Sequence, residues 1–155
     1  MVEYQRKDRY DINDLRDIMS ILRSPQGCPW DREQIHKSIR NDFIEEVYEA
    51  IEAIDLEDTE LLKEELGDVL LQIIFHCRIE EEKSCFDFDD ICDELCKKLI
   101  IRHPHVFGDI TVSDSGEVLK NWDSIKKETK GQTSYTETLT SVAKSLPALM
   151  RAQKV

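Results

Sequence analysis

Two pairs of carboxylates carry the chemistry open to this sequence. EEVYE (45–49) holds Glu46 and Glu49, and ELGD (65–68) holds Glu65 and Asp68. A separation of three places each pair on one face of a helix. Four carboxylates converging in a shielded groove repel one another and raise one another's proton affinity. A divalent cation removes that cost. All-oxygen ligation suits hard ions, Mg²⁺ or Mn²⁺ before Ca²⁺, and Mg²⁺ is typically held by a few carboxylates, waters and substrate phosphates. Metal-assisted phosphate chemistry is the expectation.

The elements that must position these acids are helical. In residues 63–77, projected at about 100° per residue, Leu66, Val69, Leu70, Leu71, Ile73, Ile74 and Phe75 point almost all the way round. That is the pattern of a buried helix. Glu65, Asp68 and Gln72 form a narrow polar stripe along it, where ionised groups are costly. On the preceding helix Asp42, Glu46, Glu49 and Ala53 share a stripe that borders an apolar arc of Phe43, Ile44, Val47, Ala50, Ile51 and Ile54. Glu45 and Glu52 turn further toward solvent. Antiparallel packing of the two helices across the short link DLEDTE (55–60) would bring the acid pairs face to face.

The remaining chain reads the same way. A first helix is expected over about Ile12 to Arg23, and SPQGCPW breaks it. Asp31 is placed to cap the next helix, with Gln34 completing a capping box and Trp30 and Ile35 forming a hydrophobic staple. Helices follow over about Ser38–Ile54, Leu61–Glu82 and Phe88–Arg102, the last carrying Ile91, Leu95 and Leu99. RHPHVFGD is a turn. Another helix starts near Ser115 with Val118, Trp122 and Ile125 at helical spacing. GQTSYTET reads as a loop, and the final stretch as a short helix broken at Pro147. No segment alternates with period two, so the fold class is all-α.

Composition narrows the function. With 33 acidic against 21 basic residues the formal charge is -12, which argues against a nucleic-acid-binding surface. No signal-like or membrane-length apolar run is found, and a cytoplasmic protein is expected. Five cysteines, with no CxxC pair, point to free thiols rather than a disulfide framework or a zinc site. A di-iron bundle would need two Glu-x-x-His motifs. Glu33 to His36 supplies one, and His76, His103 and His105 supply no second.

EEVYE, residues 50–64 and ELGD together resemble the EExxE...ExxD signature of MazG-type nucleoside triphosphate pyrophosphohydrolases, in the all-α NTP pyrophosphatase superfamily. CPWDREQIH, KKLIIRHPHVFGD and NWDSIKKE resemble its flanking motifs, so the resemblance runs from about Leu15 to Lys130. It implies Mg²⁺-dependent hydrolysis of NTPs or dNTPs between the α and β phosphates. It also implies Glu46, Glu49, Glu65 and Asp68 as metal ligands, with Glu45 as a catalytic base or water-orienting group. An antiparallel four-helix-type bundle completed by dimerisation or higher assembly belongs to the same expectation.

Within that frame Lys98 and Arg102, one turn apart, are placed to meet a triphosphate, although a basic last turn also complements the helix dipole. Trp122 is placed to stack on a base and Lys126 to reach phosphate or ribose, against the reading of Trp122 as a core residue. A narrow dUTP-type or modified-nucleotide hydrolase and a non-catalytic nucleotide-binding module are the alternatives. The expected division is a catalytic domain over 1–130 and a tail over 131–155. There SLPALMRAQKV resembles the segment leading toward a further domain in longer members, which fits either a truncated or a naturally short form of such a chain.

Overall fold

The antiparallel pair α3 (Arg40–Asp55) and α4 (Thr59–Glu81) forms the centre of the first of two compact units, Met1–Cys92 and Asp93–Val155. A computed structural model describes residues 4–129 and 135–154 of the chain. All regular elements among them are helices. In order, α1 (Ile12–Leu22), α2 (Pro29–Glu33), α3 and α4 lead into α5 (Phe88–Arg102), which begins in the first unit. The second unit continues with α6 (Pro104–Phe107), α7 (Ser115–Thr129), α8 (Tyr135–Thr140) and α9 (Ala148–Lys154). No helix among the described residues is long and apolar enough to cross a membrane.

The link between α3 and α4 is set by local hydrogen bonds. Glu57 takes a left-handed backbone, φ 55°. Its N–H reaches the Ile54 carbonyl and the Asp58 N–H reaches Ala53, each at 3.1 Å, closing α3 with a Schellman turn. The Asp58 carboxylate then accepts from the N–H groups of Glu60 and Leu61 at 3.1 and 3.0 Å, so α4 starts two residues before the expected Leu61. Three residues thus reverse the chain with its helix-end groups satisfied.

The core of this unit is Met19, Ile39, Ile74, Phe75 and Ile79, with Leu15, Leu70, Leu71 and Phe88 packed against it. Arg23, only 9% exposed, locks the end of α1 in place. Its Nε and second terminal nitrogen donate to the two Glu82 oxygens at 2.9 and 2.8 Å. The first terminal nitrogen donates to the carbonyls of Asp31 and Gln34 at 2.6 and 3.1 Å. The guanidinium also lies 5.3 Å from the Phe75 ring centroid. In the preceding turn a Cβ on Gly27 would collide with the Ile21 and Leu22 carbonyl oxygens, so only glycine fits there.

Several expectations are corrected. Asp31 caps nothing: α2 starts at Pro29 behind Cys28, because proline has its backbone angle preset for a first helical position. Gln34 instead donates to the Trp30 carbonyl at 2.9 Å, and Trp30 and Ile35 are exposed at 58% and 59%. The capping box belongs to Asp11 and Asp14, each accepting from the other's backbone N–H. Ser38 lies outside α3 because its hydroxyl accepts from the Ile35 N–H and donates to the Ile35 carbonyl, both at 2.9 Å. In the tail, α8 is helical over Tyr135–Thr140 where a loop was expected, and residues 130–134 lie outside the described part. α9 begins directly after Pro147, as the break there requires.

The largest correction concerns which face of α3 meets α4. The seam runs through Ile39, Phe43, Glu46, Ala50 and Ala53, a 4-3-4-3 spacing in which Ala53 is 0% exposed and Ile39 1%. Glu46 and Ala53 of the acid stripe therefore stand on the seam itself, while Glu49 stays exposed at its edge. Ile44, Val47, Ile51 and Ile54, expected to pack on the core, are 39–57% exposed in the single chain. Likewise α4 is enclosed only in its C-terminal half; Leu66, beside the acids, is 53% exposed.

Candidate metal centre

Three carboxylates meet across the seam. Glu46, Glu49 and Glu65 each offer an oxygen, and these oxygens all lie within 4.8 Å of one another. Glu46 and Glu65 are half-buried and Glu49 is exposed. Asp68, half-buried one turn along α4 from Glu65, stands outside that trio, yet its charge is felt at both Glu46 and Glu65. Burial pushes the Glu46 carboxyl above the usual carboxylate range, and the charges of Asp68 and Glu49 push it further. For Glu65 the causes are burial, then Glu49, then Asp68.

Such a group is all acceptors when ionised and offers only oxygen. It fits a hard divalent cation, which would restore the charge balance the helices themselves do not supply. Glu45 is exposed and outside the trio, on the side its helical phase indicates. At the same seam Gln72 is 7% exposed and its Oε1 has no hydrogen-bond partner.

A second polar cluster closes the far end of the pair. His36 Nδ1 lies 2.7 Å from His76 Nδ1, and the rings stack with centroids 5.0 Å apart. His36 Nε2 meets Glu80, which also accepts from Lys83 at 2.6 Å. The partners His36 and His76 are far apart in the chain, so no local motif signals them.

In the second unit the expected substrate-binding residues divide. Lys98 and Arg102 share a groove of about 350 Å³ with Glu94, Lys97, Ile101 and Thr129. The Arg102 guanidinium lies 5.4 Å from the Trp122 ring centroid, a cation–π contact, and His103 meets the same ring edge-on at 4.8 Å. Trp122 is half-buried, between the two readings made of it. Lys126 is exposed on α7 and is not among the groove's lining residues.

Residues 34–107 match the family model of the MazG nucleotide pyrophosphohydrolase domain. That stretch is a MazG-type domain. It is 48% identical over 146 residues to the uncharacterized protein YabN of Bacillus subtilis, covering 94% of this chain and 30% of that protein. It is 46% identical over 145 residues to the nucleoside triphosphate pyrophosphohydrolase of Escherichia coli K12, covering 93% of this chain and 55% of that enzyme. The chain thus spans about a third to about half the length of these curated relatives. A crystal structure of a mazG-related protein from Thermotoga maritima is similar with a TM-score of 0.62 at 25% identity, over 75% of this chain and 99% of that one. The MazG match contains both acid pairs, Lys98 and Arg102; Trp122 and Lys126 lie beyond it.

Proposed function

We propose that this protein hydrolyses nucleoside triphosphates, ribo or deoxy, between the α and β phosphates, giving a nucleoside monophosphate and pyrophosphate. One observation carries the reading: Glu46, Glu49 and Glu65 converge across the α3–α4 seam, with Asp68 one turn away. The nucleotide pyrophosphohydrolase family match and the name of the Escherichia coli relative support the substrate class.

Glu46, Glu49, Glu65 and Asp68 would hold Mg²⁺, or Mn²⁺ in its place. A bound cation of this kind polarises a phosphoryl oxygen and lowers the pKa of a bound water. The helices contribute fixed spacing, and the half-buried setting of Glu46 and Glu65 strengthens their pull on a cation. Glu45 is the candidate for orienting the attacking water or taking its proton. Lys98 and Arg102 are the candidate phosphate contacts, Trp122 the base-stacking surface and Lys126 a further phosphate or ribose contact.

The working form in this reading is a homodimer or larger homo-oligomer acting on the cytoplasmic nucleotide pool. Its support is the open row of Ile44, Val47, Ile51 and Ile54 on α3, with Leu66 nearby in sequence to the acids on α4. A row of that kind left in water is costly, and a second copy would cover it. The deciding experiment incubates the full chain with Mg²⁺ and a panel of NTPs and dNTPs, assaying pyrophosphate separately from orthophosphate. Pyrophosphate with monophosphate is the expected product pair. Orthophosphate alone, or no turnover with any nucleotide, would overturn the proposal.

A further inference from the structure

Among the described residues of the seam, Gln72 carries a buried polar atom, Oε1, that the helix pair leaves unanswered. On α4 it follows Glu65 by seven residues and Asp68 by four, so at about 100° per residue it falls between the two acids in angular position, one turn beyond Asp68. It is 7% exposed, and its Oε1 is buried with no hydrogen-bond partner. An unsatisfied acceptor in that position is a standing cost, and leucine would fill similar space without it.

The surroundings show what kind of group would satisfy it. His76 packs its ring on Phe43 with centroids 5.6 Å apart, and Glu65 meets Glu46 and Glu49. The register between those two contacts sets Gln72 opposite the Phe43 to Glu46 stretch of α3. Phenylalanine has no polar atom to offer, and an ionised glutamate is an acceptor only. The missing partner is a donor, which the facing stretch of α3 does not supply. Mg²⁺ sheds its hydration shell reluctantly and keeps several waters when carboxylates bind it. Those waters present O–H donors next to a group that otherwise offers only acceptors.

We propose that Gln72 accepts a hydrogen bond from a water carried by the cation held at Glu46, Glu49, Glu65 and Asp68, and so acts as a positioning residue for that cation. The inference rests on the metal reading given under the proposed function. A neutral amide suits the task, because it orients the hydrated ion without adding a further negative charge to four carboxylates. It also explains why a glutamine stands in the apolar run from Val69 to Phe75.

The test uses calorimetric titration of Mg²⁺ and of Mn²⁺ into the full metal-free chain, together with melting curves in EDTA and in excess Mg²⁺. Gln72→Leu is expected to melt higher than wild type in EDTA, because the orphan acceptor is gone. It should bind the cation about ten- to hundredfold more weakly, the range seen when an outer partner of a metal site is removed. Gln72→Glu, which retains an acceptor oxygen, should keep at least wild-type affinity at alkaline pH while melting lower in EDTA. Unchanged affinity in Gln72→Leu overturns the proposal, as does a lower melting temperature of that variant in EDTA. A change only in the ranking of nucleotide bases, with metal affinity intact, would assign Gln72 to the base and also overturn it. Failure of the metal reading itself has a different signature: wild type then binds neither cation, or Glu46→Gln binds as tightly as wild type.

Discussion

The Nδ1 atoms of His36 and His76 lie 2.7 Å apart, so one proton sits between two imidazoles. Neither ring can place a second proton there without breaking the contact. Burial, and then the neighbouring His36, hold the His76 pKa below the ordinary histidine value. The unfolded chain therefore takes up this proton first as pH falls. Stability from this site is complete above the ordinary histidine pKa, about 6.5, and is lost as pH falls from there through the lowered folded value. A second loss follows at lower pH, because Lys83 and then His36 hold the Glu80 carboxyl down to about 2. Melting curves from about pH 8 to about pH 5 should fall in wild type and flatten in His76→Gln, which retains an acceptor for His36. Parallel curves for the two proteins would remove His76 as the cause.

Arg23 is the second point at which one side chain holds several elements. Truncation to alanine takes this donor from the Asp31 and Gln34 carbonyls and leaves Glu82 with Arg78 alone, whose Nε donates to it at 3.2 Å. A loss of about 1–3 kcal/mol in urea unfolding is expected. Arg23→Lys should recover little of it, since an ammonium cannot serve both Glu82 oxygens and two carbonyls with fixed planar geometry. Recovery by lysine to near wild-type stability would show that charge alone matters there.

Glu57 carries a side chain in a left-handed turn that glycine occupies more easily. Glu57→Gly should raise unfolding free energy by about 0.5–1 kcal/mol, relief of backbone strain exceeding the added freedom of the unfolded chain. Glu57→Ala keeps the Cβ and should show no such gain. Equal gains in both would trace the effect to the lost charge.

Within the proposed reaction, Asp68→Asn keeps the shape of its side chain and removes one negative charge from the metal centre. At least a hundredfold loss of turnover is expected, of order 3 kcal/mol in transition-state stabilisation, with the melting temperature in EDTA unchanged or raised. Wild-type turnover in this variant would take Asp68 out of the ligand set. Trp122→Ala should act mainly on KM, by about 1–3 kcal/mol if a base stacks on the ring. A fall in melting temperature with unchanged KM would make Trp122 a packing residue.

How much of this was readable in the sequence depends on the range of the interaction. The three-residue spacing of Glu46 with Glu49 and of Glu65 with Asp68 is a property of one helix, and the facing of the pairs follows from the short link between them. The inside of the seam was misassigned because a large apolar arc competes with a small one. Ala50 and Ala53 bring α3 close to α4, while the bulkier Ile44, Val47, Ile51 and Ile54 give a stronger hydrophobic signal and remain open. Cys28–Pro29 outweighed the Asp31 cap because proline fixes the first turn whatever the following side chains prefer. Arg23 with Glu82 and His36 with His76 join residues 59 and 40 positions apart, and nothing local marks either pair.

The three-residue reversal at Leu56–Asp58 has a consequence for how the molecule forms. All four acids lie between Glu46 and Asp68, so a single helical hairpin brings them together, and closing so short a loop costs little entropy. The docking of α1 onto α4, by contrast, waits for contacts between residues far apart along the chain. The hairpin is thus the part of the fold best placed to assemble early, and it assembles with its charges in mutual opposition. Divalent cation present during refolding should therefore speed the folding step itself, beyond stabilising the finished protein.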